Sequence, residues 1–91
     1  MGYSLLIWDE KVWLKDISKI EPKRVTAIMG RIAQLQEAPW PDELHVKKLH
    51  EFSLADFRLR VGDYRVMFNL DVEKKHVILL RVLHRSKAYA G

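Results

Sequence analysis

Phe57-Arg58-Leu59-Arg60-Val61-Gly62-Asp63-Tyr64-Arg65-Val66-Met67-Phe68 alternates apolar and basic residues on either side of a Gly-Asp pair. Side chains of a strand point to opposite faces with a period of two, so Phe57, Leu59 and Val61 share one face and Arg58 and Arg60 the other. A two-residue turn with glycine first joins antiparallel strands into a hairpin. Centred on Gly62-Asp63, it opposes Val61 to Tyr64, Arg60 to Arg65, Leu59 to Val66 and Phe57 to Phe68. The apolar face demands a core. The other face sets Arg60 across from Arg65, and like charges opposed on a sheet are destabilising, so the arrangement calls for an anion between them.

Beyond the hairpin, Val77-Ile78-Leu79-Leu80-Arg81-Val82-Leu83 is apolar on both faces, the mark of an interior strand over residues 77–83. Its one charge, Arg81, shares parity with Leu83 and Arg85, so a strand continued to Arg85 projects both arginines from one face. Before the hairpin, Val46 to Leu49 reads as a short edge segment and residues 51–56 as a turn or loop. Further back, residues 22–37 form the strongest helix, with Pro22 at its first position and Val25, Ile28, Met29, Ile32 and Leu35 at helical spacing. Residues 10–19 form a shorter one, capped by Asp9, with Trp13, Ile17 and Ile20 on its apolar stripe. Tyr3 to Trp8 reads as a strand buried on both faces. The expectation is an α+β domain of order β-α-α-β-β-β, with an N-terminal helical hairpin on one face of a mainly antiparallel four-stranded sheet and the arginines on the other.

Ninety-one residues bound this to a single domain spanning 1–91, with 48% hydrophobic and 31% charged residues, a globular composition. No run approaches the length of a membrane span and no signal-peptide pattern opens the chain, so it reads as cytoplasmic. The absence of cysteine excludes disulfides and thiolate metal sites. His45 and His50 stand five apart with no third ligand nearby, so no metal site is expected. The net charge of +4 is uneven: residues 1–44 carry six Lys/Arg against seven Asp/Glu, residues 45–91 ten against five. A basic half on a small domain is the footprint of a nucleic-acid binder or of a partner for an acidic protein.

Lys47-Lys48-Leu49, then Phe57 to Val66, then Val82-Leu83-His84-Arg85-Ser86-Lys87-Ala88-Tyr89 resemble, in order and spacing, the motifs of RelE-type toxins of the RelE/ParE superfamily. The similarity covers nearly the whole chain. It implies the RelE-like fold and a toxin of a type II toxin–antitoxin pair, an endoribonuclease that cuts mRNA in the ribosomal decoding site. It further implies cleavage by 2′-hydroxyl attack without metal or cofactor, ribosomal RNA contacts, and a hetero-oligomer with an acidic cognate antitoxin encoded nearby. That chemistry needs an acceptor for the 2′-proton, cations for the phosphorane charge and an acid for the leaving 5′-oxygen.

Carried onto this sequence, Arg58, Arg60 and Arg65 clamp the phosphate, Arg85 stabilises the developing charge or leaving oxygen, and Tyr89 orients the site or stacks on a base. His84 is the proton-transfer candidate, because an arginine is effectively always protonated. Lys47, Lys48, Arg81 and Lys87 are the expected RNA contacts, while a solvated edge accounts for Lys47 and Lys48 nearly as well. Tyr64 and Trp13 read as core, and Trp40, between Pro39 and Pro41, as packed under its loop or exposed for a partner. Some relatives carry a C-terminal helix after this point, which the chain, two residues longer than Tyr89, has no room for. Two alternatives share the resemblance: a ParE-like toxin that poisons DNA gyrase, and an inactive relative kept as an antitoxin-binding module.

Overall fold

Gly62 adopts φ +58°, the left-handed turn conformation that costs glycine least, and from it the hairpin closes in the expected register. Strands Phe57–Val61 (β3) and Tyr64–Asp71 (β4) pair antiparallel, with Phe57 opposite Phe68, Leu59 opposite Val66, Arg60 opposite Arg65 and Val61 opposite Tyr64. The computed structural model describes residues 2–37, 46–49 and 55–88. Its other elements are Ser4–Ile7 (β1), Glu10–Ser18 (α1), Pro22–Glu37 (α2), Val46–Lys48 (β2), His76–His84 (β5) and Arg85–Ala88 (α3). His45, His50, Trp40 and Tyr89 lie outside the described residues.

The five-stranded sheet runs β1-β5-β4-β3-β2. It has one strand more than expected, because the Val46–Lys48 segment pairs fully with Leu59, Arg58 and Phe57 of β3. All neighbours are antiparallel except β1, which lies parallel to β5 with Ser4 beside His76 and Ile7 beside Leu79. The apolar run of β1 proves to be an edge rather than a strand buried on both faces. Among the described residues it has a neighbour on one side alone, and Leu6, Ile7 and Trp8 are exposed, Trp8 by 76%. A run without polar interruption looks the same at an uncovered edge as in a sheet interior, so the pattern could not separate the two.

The helices begin where their caps dictate. Asp9 is extended at φ −140° and its carboxylate accepts the Val12 N–H at 3.2 Å. Trp13, Ile20, Ile28, Ile32 and Leu35 bury against Phe57, Leu59, Val66, Phe68, Val77, Leu79 and Val82, forming the main core on one face. Met29, expected in the α2 stripe, is 42% exposed. The opposite face carries a smaller cluster of Ala55, Met67, Leu80 and Ala88, with Leu49 and Leu83 against it. Only the single turn α3 lies over that face among the described residues, so the chain does form a short helix where none was expected.

One irregularity governs where the last strand aims its side chains. Met67 pairs with Arg81 and Phe68 with Leu79, so Leu80 is an extra residue in β5 without a partner on β4. Such a bulge resets the alternation. Val77 and Leu79 precede it on the helix side, and Val82 and His84 follow it there, while Leu83 turns to the other face. β5 ends at His84, and Arg85 opens α3 instead of extending the strand.

Candidate functional site

Arg58, Arg60 and Arg65 share the face opposite the helices, since Phe57, Leu59, Val61, Tyr64 and Val66 occupy the helix side. Lys47, paired with Arg58, joins them; Lys48, paired with Phe57, points to the helix side and is exposed. Arg65 is anchored to the turn that created the cluster: its Nη1 donates to the carbonyls of Gly62 and Tyr64, both at 2.9 Å. Its Nε is buried without an acceptor, as are Nε and Nη1 of Arg58. Buried donors are nearly always paired, and leaving one unmade costs about 1–3 kcal/mol. Among the described residues these three nitrogens have no acceptor, and they belong to a basic face whose guanidinium groups suit an oxyanion.

Arg85 borders this face. Its backbone N–H donates to the Asp63 carbonyl at 2.7 Å, tying the start of α3 to the hairpin turn. Its guanidinium Nε lies 3.7 Å from the Asp63 carboxylate, with both side chains more than half exposed, a contact of little energy that leaves the head free to swing. His84 stands elsewhere. It is paired with Tyr64 on the helix side, the two rings perpendicular with centroids 5.5 Å apart. The Ser86 N–H donates to Nδ1 at 3.2 Å and the Ser86 hydroxyl lies 2.9 Å from the same nitrogen, which places the ring proton on Nε2. The sheet thus separates His84 from the arginines, and α3, starting one residue later, passes from one side to the other.

Arg81, expected among the RNA contacts, is committed to the fold. Its Nε and Nη2 donate to the two oxygens of Asp16 at 2.7 and 2.9 Å, and Asp16 also accepts the Val82 N–H at 3.1 Å. Asp16 is 5% exposed. The reason is topological: β1 pairs β5 only as far as Leu79, and beyond it the edge of β5 faces α1. The carboxylate supplies the acceptor that a further residue of β1 would have given, and Arg81 neutralises it. The hydrogen bond to Asp16 holds the Arg81 guanidinium above its usual range. Sequence reasoning passed over Asp16, though the signal was there: a carboxylate inside the Trp13, Ile17, Ile20 stripe, and a lone guanidinium in an apolar strand.

Lys87 is exposed on α3, on the side of His84. Among the described residues no group of three or more His, Asp or Glu side chains could hold a metal ion, and no helix is long and apolar enough to cross a membrane.

This architecture recurs in solved toxin structures. The toxin–antitoxin complex RelBE2 from Mycobacterium tuberculosis matches with a TM-score of 0.76 at 26% identity, over 93% of this chain and 100% of that one. The archaeal RelE–RelB complex from Pyrococcus horikoshii also scores 0.76, at 24% identity over 97% and 100%. A mutant of the E. coli toxin RelE in the free state scores 0.68 at 22% identity, over 97% and 88%, a likeness of fold. No curated protein matches the sequence. A family model described as the ParE toxin of the type II toxin–antitoxin system, parDE, matches residues 7–89, from the end of β1 through α3. With the hairpin, the helical layer and the final strand all inside that match, the chain belongs to the ParE toxin family, within the RelE/ParE superfamily of type II toxin–antitoxin toxins.

Proposed function

We infer that this toxin is an endoribonuclease that cuts mRNA in the ribosomal decoding site through 2′-hydroxyl attack, without metal. One observation carries the reading: three strand arginines on the face that α1 and α2 leave open, two of them with buried guanidinium nitrogens that have no acceptor. Arg58, Arg60 and Arg65 hold the scissile phosphate, and their fixed donors stabilise the charge that grows as the 2′-oxygen bonds to phosphorus. The P–O5′ bond then breaks, giving a 2′,3′-cyclic phosphate and a 5′-oxyanion that takes a proton from water to become the 5′-hydroxyl. Arg85, mobile beside the turn, stabilises the departing oxygen. His84 takes the 2′-proton at Nδ1 by way of the Ser86 hydroxyl, the group already 2.9 Å from that nitrogen. Tyr89 contributes stacking or orientation.

An acidic antitoxin silences the toxin by covering the basic face, in keeping with the RelB partners of the solved relatives. The test is cleavage of a reporter mRNA by the purified toxin with ribosomes, read by primer extension. Arg65→Ala should lower the rate by about 10²–10³-fold, the usual effect of removing one charge-stabilising donor. Uncut mRNA from a toxin that still arrests growth would sink the reading.

A ParE-like gyrase poison is the second reading. It is favoured by the match to a ParE family model and by the position of His84 across the sheet from the arginines. In that case DNA supercoiling by gyrase is inhibited, and replacing His84 and Arg85 leaves toxicity intact.

A further inference from the structure

Beyond the end of β1, α1 and β5 enclose a cavity of about 260 Å³ at the free edge of the sheet. The Asp16–Arg81 pair lies in its wall and is internally neutral. Lys19, at the C-terminal end of α1, and Lys87, on α3, also line it, two ammonium groups with no ion pair among the described residues. Tyr64 and Ile20 give it an apolar side, and the perpendicular Tyr64–His84 pair offers an aromatic surface. His84 adds a directional donor, because Ser86 occupies Nδ1 and the proton stays on Nε2.

Two cations, an aromatic wall and one N–H donor in a space of this size match an anion joined to a flat ring: a single nucleotide. The cavity lies across the sheet from the arginines, and the chain joins the two at α3, over the end of the sheet. His84 and Lys87 line the cavity, while Arg85 between them is bonded to the hairpin turn that carries Arg65. We propose that this cavity receives one nucleotide of the RNA strand whose neighbouring phosphate lies on the arginines, with its phosphate on Lys19 and Lys87 and its base against Tyr64. The inference rests on RNA being the strand that the arginines hold. It makes the pocket, and not the clamp, the place where the toxin distinguishes one base from another, since phosphate contacts position a strand and base contacts specify it.

The probe is a short single-stranded RNA, fully 2′-O-methylated so that it cannot be cleaved, titrated into the full-length toxin. Amide and imidazole NMR signals report the two places separately. Binding should shift Ile20 and the His84 Nε2–H together with Arg60 and Arg65. Replacing both lysines, K19A with K87A, removes two exposed side chains. It should weaken binding and lower the slope of log K against log salt by about 0.7, the value for one phosphate contact on a single strand. Signals of Ile20 and His84 that stay still, with an unchanged slope in the double variant, overturn the proposal while shifts at Arg60 and Arg65 leave the arginine reading standing. Signals that stay still at both places overturn both.

Discussion

Asp16 is the residue on which the far end of β5 depends. It accepts from Arg81 twice and from the Val82 backbone once, in a site 5% exposed. Asp16→Ala leaves the Val82 N–H and part of a guanidinium without acceptors, and should cost about 3 kcal/mol in urea unfolding, at the low end for a broken buried pair because Arg81 is 34% exposed. Asp16→Asn keeps an oxygen for Val82 and should cost less. The partner's titration works in one direction. A guanidinium raised above its unfolded value contributes stability that is whole below that unfolded value and is lost only as pH rises through the folded one, so no alkaline loss should appear within the working range. If the proposed relay carries the 2′-proton, His84→Gln and Ser86→Ala should each slow ribosome-dependent cleavage about 10²-fold, the lower end of general-base effects. Full activity in Ser86→Ala would break the relay. The strand arginines could be read from alternation alone, whereas the pairing of Asp16 with Arg81 bridges 65 positions of sequence and needs the sheet to bring the two lone charges together.

The hairpin is the element that the sequence specifies most completely, because its register follows from one turn. Gly62 is at φ +58° with nothing within 4 Å of where a Cβ would sit, so the demand there is on the backbone and not on space. Gly62→Ala should therefore destabilise by about 1–3 kcal/mol. In a domain of this size each kcal/mol lowers Tm by roughly 4–8 °C, measurable by circular dichroism. Because Arg65 bonds the Gly62 carbonyl, the same substitution should also lower cleavage in the fraction that stays folded. β5 was only partly legible. Its interior position follows from its apolar character, but the unpartnered Leu80 does not, since a bulge arises from how two strands meet and not from either pattern alone. That single residue carries His84 to the helix side, which is why a face counted by parity from Val77 and Leu79 does not hold past it.

At the scale of the molecule, charge and apolarity are divided over one face. β3 and β4 give it Arg58, Arg60 and Arg65, while the β1 end gives it Trp8, Ile78 and Leu80 around a shallow cavity. Binding a single strand with one phosphate on the arginines and its neighbour on Lys19 and Lys87 should give a slope of log K against log salt of about −1.4, read by fluorescence anisotropy across a salt series. A slope near zero would mean that the basic half meets no phosphate. The fold class and the sheet's order of events were readable from the chain, because helices with one stripe and strands with alternating faces admit few layered packings. The fifth strand and the open β1 edge were not, because a three-residue segment and an uninterrupted apolar run take their roles from neighbours.

The parallel pairing of β1 with β5 joins the first strand to the last, Ser4 beside His76. A ribosome making this protein delivers β1 at the outset, and its one strand neighbour among the described residues, β5, follows only after α1, α2, β2, β3 and β4. The arginines of β3 and β4 are thus synthesised before β5, the strand that joins them to β1 and completes the sheet order, exists.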